Sequence, residues 1–193
     1  MKKLIASALL LSFALAGTVS AGWVSGESTV IAVNQGEAAF HGPLSSEQRL
    51  DVGMTGGSSG RADVIFSNKS SESRLALSAL PVNIESGTSS DGTSYQDAKL
   101  TITPLVDNDS GQRYYLVETG NPEGTQIIAY KKGNFTQAFT AASLMEGADS
   151  ASFTVEKKEL TLHLEKGEVK NDYFLTYDSR TGTFNAKQRS EER

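Results

Sequence analysis

The sequence predicts an all-β protein: a single antiparallel β-sandwich or barrel-like domain with a C-terminal meander and at most one short helix. Three observations carry this. Segments of period two recur at short intervals, Gly, Ser, Asn and Asp clusters punctuate them, and long stretches of period 3.6 are lacking. The chain has 193 residues, enough for one substantial core and short for two ordinary domains. No internal repeat or domain boundary stands out.

The first element lies outside the fold. Met1-Lys2-Lys3 is basic, Leu4 to Ala16 is apolar and uncharged, and Gly17 to Ala21 supplies small residues, with Val19 and Ala21 at the cleavage positions. This is the pattern of a secretory signal peptide over residues 1–21, too short for a permanent span. Cleavage after Ala21 leaves 172 residues with 16 basic and 23 acidic side chains, a net charge of −7. The expected location is periplasmic or secreted, with no membrane span after signal removal. Residue 22 is Gly, which excludes lipid attachment at a new N-terminal Cys. The chain has no Cys at all, so an exported domain of this size folds on burial alone, without disulfides. The acidic balance argues against a nucleic-acid partner, whose phosphates would demand clustered Lys and Arg.

The β-rich domain is expected over residues 22–186. Thr29 to Val33 is a short β-branched run. Gln48 to Met54 places Leu50, Val52 and Met54 on one face. Arg61 to Ser67 carries Val64, Ile65 and Phe66, and Ser73 to Leu80 places Leu75 and Leu77 together before Pro81. Ala98 to Val106 aligns Leu100 and Ile102, while Gln112 to Thr119 and Thr125 to Tyr130 are rich in aromatic and β-branched residues. Two stretches read as exposed loops, Gly53 to Gly60 and Ser86 to Ser94. Such loops often carry binding, but a flexible connection is the plainer reading.

Phe135, Phe139, Ala142 and Met145 fall near helical spacing before Gly147, which predicts either a short helix or a strand from Asn134 to Thr140 followed by a loop. The meander comes next. Ser152 to Glu156 points Phe153 and Val155 inward. Glu159 to Glu165 points Leu160, Leu162 and Leu164 inward and Thr161, His163 and Glu165 outward. Lys166 to Glu168 turns the chain. Tyr173 to Tyr177 then pairs with Thr183 to Ala186 through a hairpin opened by Asp178 and closed by Gly182. Residues 187–193 read as a charged, disordered tail.

Motifs for chemistry are sparse. Gly56-Gly57-Ser58-Ser59-Gly60 matches the G-x-S-x-G nucleophile elbow, which requires a strand-to-helix turn; a strand is expected after it instead. His163 sits on a polar strand face and His41 at an expected turn, and two histidines without Cys do not make a zinc site. Asp107-Asn108-Asp109-Ser110-Gly111 offers the alternating acids of a calcium loop, yet it lacks a ligand before Gly111 and a well-placed downstream Glu, so a polar turn is favoured. No phosphate-cradling loop occurs, and no cofactor is implied. The candidate contact residues are Trp23, near the mature N-terminus, and Tyr114-Tyr115, which put one ring on each face of a strand and so one toward solvent.

These features fit an exported, non-enzymatic β-domain that binds another macromolecule, such as an inhibitor, an envelope interaction module or a surface or pilus-type subunit. A pilus-type subunit would leave its mature N-terminal segment unpaired or paired beyond its own chain. The alternatives are a barrel enclosing a small apolar ligand and, with less support, a hydrolase.

Overall fold

A computed structural model describes residues 22–57, 59–69, 72–156 and 158–189. The expected signal peptide, Ser58 and residues 190–193 lie outside the described residues. Among the described residues the protein is all β, with three antiparallel sheets and no helix.

The central sheet is built around one long strand, β8 (Ser94–Asp107). Along one edge of β8 run β1 (Trp23–Ser25) and β2 (Thr29–Val33), with Trp23 opposite Asp107 and Val33 opposite Ala98. They form one edge strand interrupted at 26–28, where Gly26 N donates to Pro104 O at 2.8 Å. The N-terminal segment is thus paired within its own chain. Along the other edge of β8 lie β7 (Ile84–Thr88) and β9 (Gln112–Glu118), followed by β10 (Gln126–Lys131) and β11 (Asn134–Thr140).

The other two sheets are local meanders. One comprises β3 (Glu37–Pro43), β4 (Gln48–Thr55), β5 (Gly60–Asn68) and β6 (Arg74–Val82). The other is the expected C-terminal meander: β12 (Ser150–Val155), β13 (Leu160–Lys166), β14 (Val169–Asp178) and β15 (Thr183–Gln188). Its last hairpin closes as expected: Arg180 N donates to Asp178 Oδ1, Gly182 N to Asp178 O, and Gly182 takes φ +75°.

The three sheets stack as a three-layer sandwich with two cores; none closes into a barrel. The N-terminal meander packs Leu50, Val64 and Phe66 against Leu100, Ile102, Tyr115, Val117 and Ile128 of the central sheet. The C-terminal meander packs Leu160, Leu162 and Leu164 against Leu105, Tyr114, Leu116 and Ile127 on its opposite face. Successive residues of β9 therefore enter different cores. Strands covered on both faces read as continuous apolar runs rather than as alternation, which explains the Tyr-Tyr-Leu-Val and Ile-Ile-Ala-Tyr stretches. Each fully buried Leu, Ile or Phe contributes about 1.5–3 kcal/mol relative to exposure.

Asn83, between β6 and β7, joins the layers. Its Nδ2 donates to Gly120 O at 2.9 Å and to Asp149 O at 2.7 Å, and its Oδ1 accepts from Asn121 Nδ2 at 3.0 Å. One amide thus links the crossover from the N-terminal meander, the β9–β10 loop and the approach to β12.

Several expectations need correction. The helical reading of Phe135 to Met145 gives way to its alternative: the expected strand from Asn134 to Thr140 is β11. A bulge skips Ala138, since Ile127 faces Phe139 and Ile128 faces Gln137. The bulge sends Phe135 into one core and Phe139 into the other, an apolar spacing that imitates a helix. The expected loops are shorter: Gly53 to Thr55 belongs to β4, and Ser86 to Thr88 belongs to β7. His41 lies in β3 rather than at a turn. Thr161 lies on the outward face of β13, opposite Phe174, yet is buried there. The first residues of the expected tail belong to the fold: Lys187 and Gln188 extend β15, Arg189 N donates to Asp172 O, and its guanidinium sits 5.0 Å from the Phe174 ring centre.

Candidate functional site

The aromatic residues singled out by sequence are core residues. Tyr114 and Tyr115 are 0% and 3% exposed, so the expectation of one solvent-facing ring is corrected: both faces of β9 are covered. Trp23 is half-buried on β1, with its ring 5.6 Å from Tyr114 and 6.1 Å from Phe184. Trp23 and Tyr114 share the C-terminal core, whereas Tyr115 lies across the sheet against Phe66 and Phe135. Tyr115 Oη donates to Gln48 Oε1 of the N-terminal meander, while Tyr114 Oη is buried without a hydrogen-bond partner. The three residues do not form a common surface.

The Asp107–Gly111 segment is the β8–β9 turn. Asp107 Oδ1 accepts from Asp109 N at 3.0 Å, its Oδ2 accepts from Ser110 Oγ at 2.6 Å, and Gly111 N donates to Asp107 O. Both carboxylate oxygens of Asp107 cap the turn, and no cluster of three metal-ligating side chains occurs among the described residues. The strands flanking residues 56–59 are β4 and β5, so the strand-to-helix context of a nucleophile elbow is absent.

The two histidines each sit in a cross-strand pair. His41 Nδ1 lies 2.8 Å from Asp51 Oδ1, and this bond together with Arg49 holds the Asp51 carboxyl below its usual value. His163 bridges two strands: Nδ1 is 2.7 Å from Asp172 Oδ1, and Nε2 is 2.8 Å from Thr154 Oγ1. Sequence reading missed this constellation, because it arises from the registers of β12, β13 and β14 rather than from spacing along the chain. Hydroxyl, imidazole and carboxylate stand in the order of an acyl-transfer relay. The relay lies on an open sheet face, however. The surrounding backbone N–H groups belong to the strand ladder, which leaves no donor pair aimed at an oxyanion. As built, it is a polar cross-strand tie.

Two of the recesses on the described surface bear on function. One lies on the outer face of the N-terminal meander and has a volume of about 640 Å³. Its floor is the cross-strand row Ala39, Gly53 and Asp63, and its side is a β6 bulge with Ala79 at φ +54°. Asp63 Oδ1 accepts from Ala79 N at 2.7 Å and Arg61 donates to Ala79 O at 3.3 Å, so these two charges are committed to the bulge, while Glu37 also lines the recess.

The other recess is a cleft of about 710 Å³ at the end of the central sheet, where β2, β7 and β8 run beyond the C-terminal meander. Asn34, Gln35, Ser86, Thr88, Tyr95 and Gln96 line it. Asn34 Nδ2 donates to Gln96 O at 2.9 Å, and Asn34 O accepts from Gly57 N at 3.0 Å, which fixes the amide in the wall. Tyr95 is 40% exposed. Its cross-strand partner is Gly87. A Cβ at Gly87 would stand 2.5 Å from Tyr95 Oη and 2.6 Å from Cζ, so the ring lies across the glycine. Sequence reading placed this segment in a loop. The signal that could have found it is a Gly and a Tyr at paired positions of one hairpin around Ser89–Thr93.

No protein-family model, curated protein or solved structure matches the chain.

Proposed function

We propose that the chain is an exported, non-enzymatic β-domain that binds another macromolecule, and that it does so at the Tyr95 cleft. One observation carries the reading: an exposed aromatic ring is held against Gly87 at the end of the central sheet. Aromatic side chains with little conformational freedom are the common anchors of recognition surfaces. The carrier alternative is less well supported, because a carrier needs a closed sheet around a hollow. Here the sheets are open, and packed side chains fill both interlayer spaces. The hydrolase alternative lacks an oxyanion site beside the His163 relay. A pilus-type subunit lacks a free N-terminal strand, since β1 and β2 pair with β8. Among the described residues no helix is long and apolar enough to cross a membrane.

The test is co-sedimentation of purified residues 22–193 with bacterial cell envelopes. Saturable retention that is lost in Tyr95→Ala, with the unfolding midpoint unchanged, is the expected result. A chain that stays in the supernatant, or retention indifferent to Tyr95→Ala, overturns the reading.

A further inference from the structure

We infer that two copies of the chain pair through the outer edge of β2, joining their central sheets into one continuous sheet across a twofold axis. The inference stands on the strand edges and is independent of the Tyr95 site.

The register of the central sheet shows which backbone groups β2 leaves over. The carbonyls of Gln96 and Pro104 in β8 point toward β1 and β2, where they accept from Asn34 Nδ2 and Gly26 N. Alternate residues of a strand bond to the same side, so Ala98, Leu100 and Ile102 bond to Val33, Ile31 and Thr29. The N–H and C=O groups of Val30 and Ala32 therefore face away from β8. Among the described residues they have no partner. The side chains follow suit: Val30 is 51% exposed, and Ala32 is exposed beside it.

An open edge is a template for a further strand, and folded proteins guard their edges with charge, Pro, bulges or cover. The other edges of this molecule carry such guards. β3 holds Glu37 and His41 and ends in Pro43. β6 holds Arg74 and Pro81 and bulges at Ala79. β7 holds Glu85 and Gly87, β11 is bulged at Ala138, and β15 holds Lys187. β12 has no charge of its own, but its outward N–H groups are occupied: Ala151 N donates to Gly120 O and Phe153 N to Glu118 Oε1, both at 2.8 Å. β1 is only 3 residues long. β2 reads Thr-Val-Ile-Ala-Val, with no charge, Pro, Gly or break in register, and its residues favour the extended backbone.

A second copy suits this edge. The chain is acidic, with a net charge of −5, so two copies repel over much of their surfaces. β2 is an uncharged stretch between Glu27 and Glu37. Antiparallel pairing centred on Ile31 sets Val30 of each copy opposite Ala32 of the other. Each such pair exchanges two backbone hydrogen bonds, so every group that Val30 and Ala32 leave over is used. The larger Val packs beside the smaller Ala, and part of the Val30 side chain leaves water. Thr29 faces Val33, and no charged residues meet within the paired segment. The twofold closes the assembly at two copies.

The test is sedimentation equilibrium of residues 22–193 between about 1 and 500 μM. The mass should rise from one copy to two, with a dissociation constant of about 1–100 μM for so small a contact. Val30→Lys brings like charges together across the axis, and Ala32→Pro removes an outward N–H. Each should weaken dimerisation about tenfold or more with the far-UV circular dichroism spectrum unchanged, while Val30→Ile should stay within about threefold of wild type. The chain has no Cys, so cross-linking reads the register. Under mild oxidation an equal mixture of Val30→Cys and Ala32→Cys should form covalent dimers faster than either variant alone, because only positions 30 and 32 stand opposite each other. A monomer throughout the range, which would leave the edge to a strand of another protein, overturns the inference. So does a mass beyond two copies, dimerisation unchanged in Val30→Lys and Ala32→Pro, or cross-linking no faster in the mixture.

Discussion

Tyr114 and Tyr115 are neighbours in the chain with opposite local accounts. Tyr114 Oη has no hydrogen-bond partner, whereas Tyr115 Oη serves the buried amide of Gln48. Tyr114→Phe should therefore leave stability unchanged or raise it by up to about 1 kcal/mol, because the lost hydroxyl made no bond. Tyr115→Phe should cost about 1–3 kcal/mol, because Gln48 Oε1 is left buried and unpaired. Urea unfolding midpoints of the two variants check this, and equal effects would refute it. Glu118 makes a second residue-scale prediction. Burial raises its carboxyl above the ordinary 4.5, partly offset by the Phe153 N–H it accepts at 2.8 Å and by Lys99. The native state then holds the proton to higher pH than the unfolded chain, so stability falls as pH rises from about 4.5 through the raised value. Glu118→Gln keeps an oxygen for Phe153 and should flatten that fall, leaving the variant the more stable at pH about 7.5. Parallel pH profiles for wild type and variant would contradict the assignment. Neither behaviour is legible in the sequence, since each depends on which layer covers which face.

At the scale of elements, legibility follows the number of covered faces. Strands with one buried face, β4 and β13, alternate cleanly, and sequence places Leu50, Val52, Met54, Leu160, Leu162 and Leu164 correctly. Strands with two buried faces, β9 and β10, keep their β-branched and aromatic character but lose the alternation that would say where each residue points. β7 is the least legible: Glu-Ser-Gly-Thr has little apolar content, and its strand is held by pairing to Ser94–Ala98. The cleft was missed for that reason. The β10–β11 hairpin turns through Lys132 at φ +50° and Gly133 at φ +85°, a two-residue turn with both residues left-handed. Asn tolerates that backbone better than Lys. Lys132→Asn should raise stability by about 0.5–1 kcal/mol, read from the urea midpoint, with no change in far-UV circular dichroism. A destabilised variant would mean that the Lys132 side chain contributes more than its backbone strain costs.

At the scale of the whole molecule, the central sheet belongs to both cores, so neither outer sheet can leave without exposing it. Loss of the C-terminal meander would bare Leu105, Leu116 and Ile127; loss of the N-terminal one would bare Leu100, Ile102 and Val117. One cooperative transition is expected. Trp23, the sole tryptophan, reports the C-terminal core, while far-UV circular dichroism reports all three sheets. The two melting curves should superimpose, and a dichroism step without a fluorescence change would mean that the N-terminal meander melts alone. The all-β class and the C-terminal meander were legible from periodicity. The third layer was not, because strand patterns say that a face is covered and not by what. The placement of β8 also fixes an order of events in time. A chain made from its N-terminus completes β3 to β6 while β1 and β2 still have no partner, since the strand they pair with begins at Ser94. β1 and β2 are thus among the later strands to be secured. The face of β9 and β10 that receives Leu160 and Leu162 stays bare until β13 arrives. A nascent chain stalled before β12 presents a sticky apolar sheet, the state in which it is most vulnerable to aggregation and to proteases.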